Sequence, residues 1–127
     1  MEASDLFKCI ADTQRLRILN LLEAGPLCVC HLQEILDVSQ VKMSKQLSIM
    51  KQMALVESHR EGTWMIYSIK DPIHGLIQNN LNYLREADCS ECNQLQEDLL
   101  KRGKLILRIT DNQEDCPSSI CQQIDCC

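Results

Sequence analysis

The chain has 127 residues, a formal net charge of −5, nine cysteines and only four aromatic residues of the Phe, Trp and Tyr types. A chain of this length is expected to form one domain with a small, mostly aliphatic core. No apolar run approaches the roughly 20 residues that span a bilayer, and the charged N-terminal segment differs from a signal peptide, so we expect a cytoplasmic protein without a membrane contact.

The cysteines are numerous and odd in number, and several lie within stretches of helical periodicity. Cys9, Cys28 and Cys30 are of this kind. A small disulfide-stapled domain is not usually built from such helices. In a reducing compartment these thiols therefore indicate metal binding or redox chemistry.

Four helices are predicted in the first half of the chain. The first is capped by Ser4 and covers residues 4–11, and the second is expected to be capped by Thr13 and to end before Gly25-Pro26. A short third helix covers Val29 to Leu36. The fourth begins at Ser39 and runs to about Met53.

The third and fourth helices are joined by the short link Asp37-Val38, a pattern typical of a helix-turn-helix. In the fourth helix Met43, Leu47 and Met50 recur at helical spacing, so they are expected to face the core. Its polar residues then face outward. Alone, that pattern also fits an ordinary solvated helix face.

The next stretch, LVESHREGTWMIYSI (55–69), predicts a β-hairpin around Glu61-Gly62, in the position of a wing. Between Ser39 and Lys70 the chain carries five basic and two acidic residues, a local positive excess suited to DNA. The residues predicted to contact DNA are Ser39, Gln40, Lys42, Ser44, Lys45 and Gln46 of the fourth helix, with His59 and Arg60 of the hairpin.

A further helix is predicted from residue 72 to about 87. Its apolar stripe is wider than a small domain is expected to cover, so we interpret it as a dimer contact. The stripe consists of Ile73, Leu76, Ile77, Leu81 and Leu84.

We assign residues 1–90 to a DNA-binding and dimerisation domain, and residues 91–127 to a cysteine-containing extension that is expected to be disordered after about Thr110.

Three stretches of this sequence resemble the ArsR/SmtB family of metal-sensing repressors. They are LFKCIADTQRLRILNLL, PLCVCHL and SQVKMSKQLSIMKQMALVESHREGTWMIYSI. The resemblance covers roughly residues 4–85. It implies a mostly α, winged helix-turn-helix homodimer with the element order α-α-α-α-β-β-α. Such a repressor binds an inverted-repeat operator and leaves it when an ion binds.

The pair Cys28 and Cys30 is the predicted metal site. Thiolates select thiophilic ions, so As(III) or Sb(III) is the expected inducer, with Cd(II), Pb(II) or Hg(II) as further candidates. Residues two apart point about 200° apart around a helix. We therefore expect ion capture to unwind the first turn of the third helix and to shift Ser39 and the helix it caps. Gln33 stands where arsenic-responsive relatives often have a third cysteine.

The other candidate ligands are weaker. Asp71 and His74 alone supply too few donors for the zinc site that this family builds on its last helix. His31 is expected to be a solvated or hydrogen-bonding residue rather than a ligand, and Cys9 a core residue. Cys89 and Cys92 are candidates for additional ligands or a second site. No role is assigned to the tail cysteines Cys116, Cys121, Cys126 and Cys127, although the last two could capture arsenite.

Three other functions stay open. The same fold could respond to oxidation, although a disulfide between Cys28 and Cys30 is expected to be strained, or to Cd, Pb or Zn. A cysteine-rich metal carrier would not need a basic recognition helix. An enzyme is least supported, because the sequence contains no phosphate-binding glycine loop, nucleophile elbow or acid-base pair.

Overall fold

The computed structural model describes residues 3–70 and 75–111, and the statements below concern these residues. No helix among them combines the length and apolar character needed to cross a membrane. The elements in chain order are α1 (Ala3–Ile10), α2 (Thr13–Glu23), β1 (Leu27–Cys28), α3 (Val29–Leu36), α4 (Gln40–Gln52), β2 (Val56–Glu61), β3 (Trp64–Ile69), α5 (Gly75–Glu86) and α6 (Ser90–Asp111).

The helix-turn-helix and the wing are confirmed. Helix α3 ends at Asp37, which adopts a left-handed conformation with φ 54°, a region that Asp tolerates better than most residues. Ser39 then caps α4, and its Oγ accepts a hydrogen bond of 3.3 Å from the Lys42 backbone N–H. The inward stripe of α4 is buried as predicted, at Met43, Leu47 and Met50.

Helix α2 lies at the centre of the core. Its N-cap is Asp12, whose carboxylate accepts from the Arg15 backbone N–H at 3.0 Å, so the prediction of Thr13 as the cap was wrong by one residue. Both side chains can cap a helix, and the sequence pattern does not choose between neighbours. The buried face of α2 includes Leu16, Ile18, Leu19, Leu21 and Leu22.

The three strands form one antiparallel sheet in the order β1-β3-β2. Strands β2 and β3 form the predicted hairpin, which turns at Gly62 with φ +61°. Strand β1 was not predicted, because two residues are too few to show alternation and their partners lie far along the chain. It pairs Leu27 with Tyr67 and Cys28 with Ile66.

Helix α6 was also not predicted, and it changes the interpretation of the apolar stripe on α5. Helix α5 packs against α6, and Ile77 and Leu81 join Leu95 of α6 in the main core. The central part of that stripe is therefore covered within one chain rather than left for a second copy. Of the other sequence predictions, Asp71, Ile73, His74 and the tail after residue 111 lie outside the described residues.

A polar network fixes α5 and α6 to α2. Asn20 is fully buried, donates to the Leu95 carbonyl at 3.0 Å and accepts from Arg85 Nε at 2.8 Å. Arg17 donates from Nε and Nη2 to the Asp98 carboxylate at 2.7 and 2.9 Å. The hydrogen bond to Asp98 raises the pKa of Arg17 above its ordinary value.

The substitution Asp98→Ala is expected to lower the free energy of unfolding by about 3 kcal/mol, because it leaves the largely buried Arg17 guanidinium without its carboxylate partner. Urea unfolding of the reduced chain measures the effect. Glu97→Ala removes the same charge from an exposed site on α6 and should change stability by less than about 0.5 kcal/mol. Equal effects of the two substitutions would contradict the role given to Asp98.

Candidate metal centre and nucleic-acid interface

Cys28 and Cys30 lie at the junction of β1 and α3. Cys28 is the N-cap of α3 with extended backbone angles (φ −81°, ψ 161°), whereas Cys30 lies in the first helical turn. Their Cα atoms are 5.5 Å apart, and their sulfurs are joined in a disulfide. Helix α3 is nevertheless intact from Val29 to Leu36. The expectation that bringing the two sulfurs together must unwind α3 was therefore wrong.

The physical reason is the backbone conformation of Cys28. Because Cys28 pairs with Ile66 of β3, it is part of a strand rather than of the helix. The angular separation of residues two apart on a helix does not apply across this junction. In the dithiol form, the two sulfurs can approach one ion with little change in α3, so any signal must leave the site by another route.

His31 belongs to the same cluster. One donor atom from each of Cys28, Cys30 and His31 lies within 4.8 Å of the other two, the only such group of three among the described residues. Cys28 and His31 are buried, and Cys30 is exposed. The expectation of a solvated His31 was therefore wrong, because its side chain is buried beside the two sulfurs. Two thiolates and one imidazole fit a thiophilic or borderline ion.

A cavity of about 520 Å³ opens beside the cysteine pair. One wall is formed by Cys28 and Cys30. The others come from Gln40 and Ser44 of α4 and from the start of β3, including Trp64. The cavity therefore connects the candidate metal centre to two residues predicted to contact DNA and to the wing.

The exposed face of α4 carries most of the predicted DNA contacts: Ser39, Gln40, Lys42, Ser44 and Lys45 are all exposed. Gln46 differs, because it is partly buried and its Oε1 is enclosed. Sequence reasoning missed Val41, which is 79% exposed beside these polar residues. An exposed aliphatic side chain on such a face suits contact with a thymine methyl group.

The wing also presents its predicted residues. His59 and Arg60 are exposed on β2, and His59 Nε2 lies 3.1 Å from Glu61 Oε1. Lys51 at the end of α4 donates to Ser58 Oγ at 2.8 Å. That hydrogen bond connects α4 directly to the wing.

The remaining described cysteines lie away from this centre. Cys9 is fully buried, as predicted, and burial raises the pKa of its thiol above the ordinary value. Cys89 and Cys92 form a second disulfide at the start of α6, where the Cys92 backbone N–H donates to Cys89 Sγ at 3.0 Å. Within the described ranges, no third metal-binding side chain accompanies them.

Comparison with known proteins matches residues 12–58 to the family described as bacterial regulatory protein, arsR family. The chain is 39% identical over 89 residues to the arsenical resistance operon repressor of Bacillus subtilis, covering 65% of this chain and 85% of that protein. It is 34% identical over 86 residues to the cadmium resistance transcriptional regulatory protein CadC of Listeria innocua, covering 66% and 72% respectively.

Among solved structures, reduced HlyU from Vibrio cholerae is similar with a TM-score of 0.61 and 26% identity, over 69% of this chain and 90% of that one. The sequence match to the Bacillus repressor extends over most of that protein, and the fold agrees with a winged helix-turn-helix. The chain therefore belongs to the arsR family of bacterial regulatory proteins and is a DNA-binding transcriptional repressor rather than an enzyme.

Proposed function

We propose that this repressor binds an inverted-repeat operator as a homodimer and releases it when Cys28 and Cys30 bind a thiophilic ion, As(III) or Sb(III) foremost. The observation that carries the proposal is the cavity shared by the cysteine pair, by Gln40 and Ser44 of α4 and by Trp64 of the wing. The ion site and the DNA-binding residues therefore lie in one small region of the molecule. We further propose that the protein acts in the cytoplasm.

The donor chemistry supports the choice of ion. Two neighbouring thiolates without a carboxylate among the clustered donors favour soft ions. The names of two relatives refer to arsenical and cadmium resistance, which supports a response to thiophilic ions in this chain as well. Cys9, buried on α1 with a raised pKa, is a poor competitor for such ions.

The route of the signal follows from the elements that hold the two cysteines. Cys28 is fixed to β3 through its pairing with Ile66, and Cys30 belongs to α3, which leads into α4 through Asp37 and Ser39. A change in the separation of the sulfurs therefore shifts the wing strand relative to α3 and α4. Coupling between two such sites is typically about 1–3 kcal/mol.

The homodimer is supported by exposed apolar side chains on two helices that do not contact DNA in this proposal. Phe7 of α1 is 51% exposed, and Leu100 and Leu107 of α6 are also exposed, one helical heptad apart. The heptad spacing places Leu100 and Leu107 on one face of α6, and a contiguous exposed apolar face marks an interaction surface. A second copy would cover them and would match a palindromic operator.

A second candidate function is a response to oxidation, and the disulfide between Cys28 and Cys30 favours it. In this reaction one peroxide molecule oxidises the two thiols to a disulfide and is itself reduced to two water molecules. The disulfide has no thiolate left for an ion. Oxidation and ion binding therefore compete for the same pair.

Cys28→Ser and Cys30→Ser are each expected to keep DNA affinity and to lose release by arsenite, because one thiolate cannot chelate the ion. The measurement is fluorescence anisotropy on a duplex selected from a random-sequence pool by the reduced, metal-free chain. Cys9→Ser is the matched control and should respond as the parent does. Peroxide added in place of arsenite tests the second function. Release of a Cys28→Ser variant at the parent arsenite concentration would contradict the proposed site.

Lys45→Gln is expected to weaken binding to the same duplex and to lower the salt dependence of log K by about one per protomer, because a phosphate contact is lost. Lys101→Gln, an exposed change on α6, should leave both quantities unaltered. A titration at several salt concentrations gives the two slopes. An unchanged slope for Lys45→Gln would remove that residue from the interface.

A further inference from the structure

We propose that His31 is a third ligand for divalent ions at the Cys28–Cys30 centre but not for As(III), so that this one side chain discriminates between the two classes of ion. The inference rests on the cysteine site of the proposed function. It adds a ligand, the class of ion that uses it and a direct contact to the wing.

The position of His31 is fixed by the fold. It follows Cys30 in the first turn of α3 and is only 8% exposed. Its ring lies against Trp64, with ring centroids 6.2 Å apart and an angle of 28° between the planes. One of its nitrogens lies within 4.8 Å of both cysteine sulfurs. A buried ring held this close to two sulfurs is already near the place where a third donor is needed.

Coordination chemistry separates the two classes of ion. As(III) favours a pyramid of sulfurs and is satisfied by Cys28, Cys30 and a ligand from solvent, so it does not need an imidazole. Zn(II) prefers four tetrahedral donors, accepts imidazole nitrogen readily and binds sulfur at about 2.3 Å and nitrogen at about 2.0–2.1 Å. Cd(II), a softer ion of the same charge, is expected to use the same donors. His31 supplies a third donor, and a ligand from solvent would complete the set of four.

Because His31 contacts Trp64, ion binding at His31 also affects the wing. Trp64 is the first residue of β3, is opposite Glu61 in the hairpin and lines the cavity shared with α4. A rotation of the His31 ring toward an ion therefore alters the packing next to the turn of the wing. Trp64 is also the single tryptophan of the chain, so the intrinsic tryptophan fluorescence reports on the surroundings of this one ring, which include His31.

The test compares the parent with His31→Gln and with His59→Gln, which removes an exposed histidine from the wing. Each reduced chain is titrated with Cd(II), Zn(II) and arsenite, with thiolate-to-metal absorbance and Trp64 fluorescence as readouts. His31→Gln should bind Cd(II) and Zn(II) at least about tenfold more weakly. The reason is that loss of even a supporting group around a metal typically lowers metal affinity about 10- to 100-fold. Its arsenite affinity should stay within about twofold of the parent, and His59→Gln should match the parent in the three ion titrations, which contain no DNA.

A His31→Gln chain that binds Cd(II) and Zn(II) as tightly as the parent would overturn the assignment, as would an equal loss for arsenite. His31→Cys adds a further check that does not depend on loss: a third thiolate should tighten arsenite binding. The proposed function fails separately, when arsenite saturates Cys28 and Cys30 in the parent but the DNA is not released. Circular dichroism of each variant is the control for retention of the fold.

Discussion

The pairing of Cys28 with Ile66 places the N-terminal boundary of α3 in a strand, and the candidate chemistry depends on that constraint. Because Cys28 is extended, its sulfur can meet that of Cys30 while the helix stays intact. The same pairing attaches the thiols to β3, which continues from the wing turn. We therefore propose that a change at the sulfurs first moves the sheet and the cavity beside α4, without the loss of a helical turn.

The rest of the fold supports the junction between β1 and α3 from the side of the core. Helix α2 fills the core and fixes α5 and α6 through Asn20 and through the pair of Arg17 and Asp98. Buried polar groups of this kind are costly unless their hydrogen bonds are satisfied, so they favour one docking of the helices over alternatives. In the proposed function, this support directs small shifts at Cys28 and Cys30 to α4 and the wing rather than into the core. Lys51, bonded to Ser58, joins those two elements and lets them respond together.

Local signals made much of this structure predictable. The cap at Ser39, the stripe of α4 and the turn at Gly62 each depend on neighbouring residues, and each was found. Strand β1 and the buried Asn20 depend on partners far along the chain, so spacing and propensity contain no trace of them. The same limit applies at the site: the thiol pair was evident from CVC, whereas the burial of His31 against Trp64 depends on a residue far along the chain. Helix α6 was not predicted although its apolar residues recur at helical spacing, and residues 91–127 were instead assigned to an extension.

The central claim is that ion and operator compete through one region, and reciprocity gives its most direct test. If arsenite weakens DNA binding by a given factor, DNA must weaken arsenite binding by the same factor. The measurement is the arsenite affinity of the reduced chain, free and saturated with its selected duplex, by isothermal titration calorimetry. The account predicts an affinity about 5- to 150-fold lower on DNA, the range that 1–3 kcal/mol of coupling gives. Equal arsenite affinities with and without DNA would contradict it.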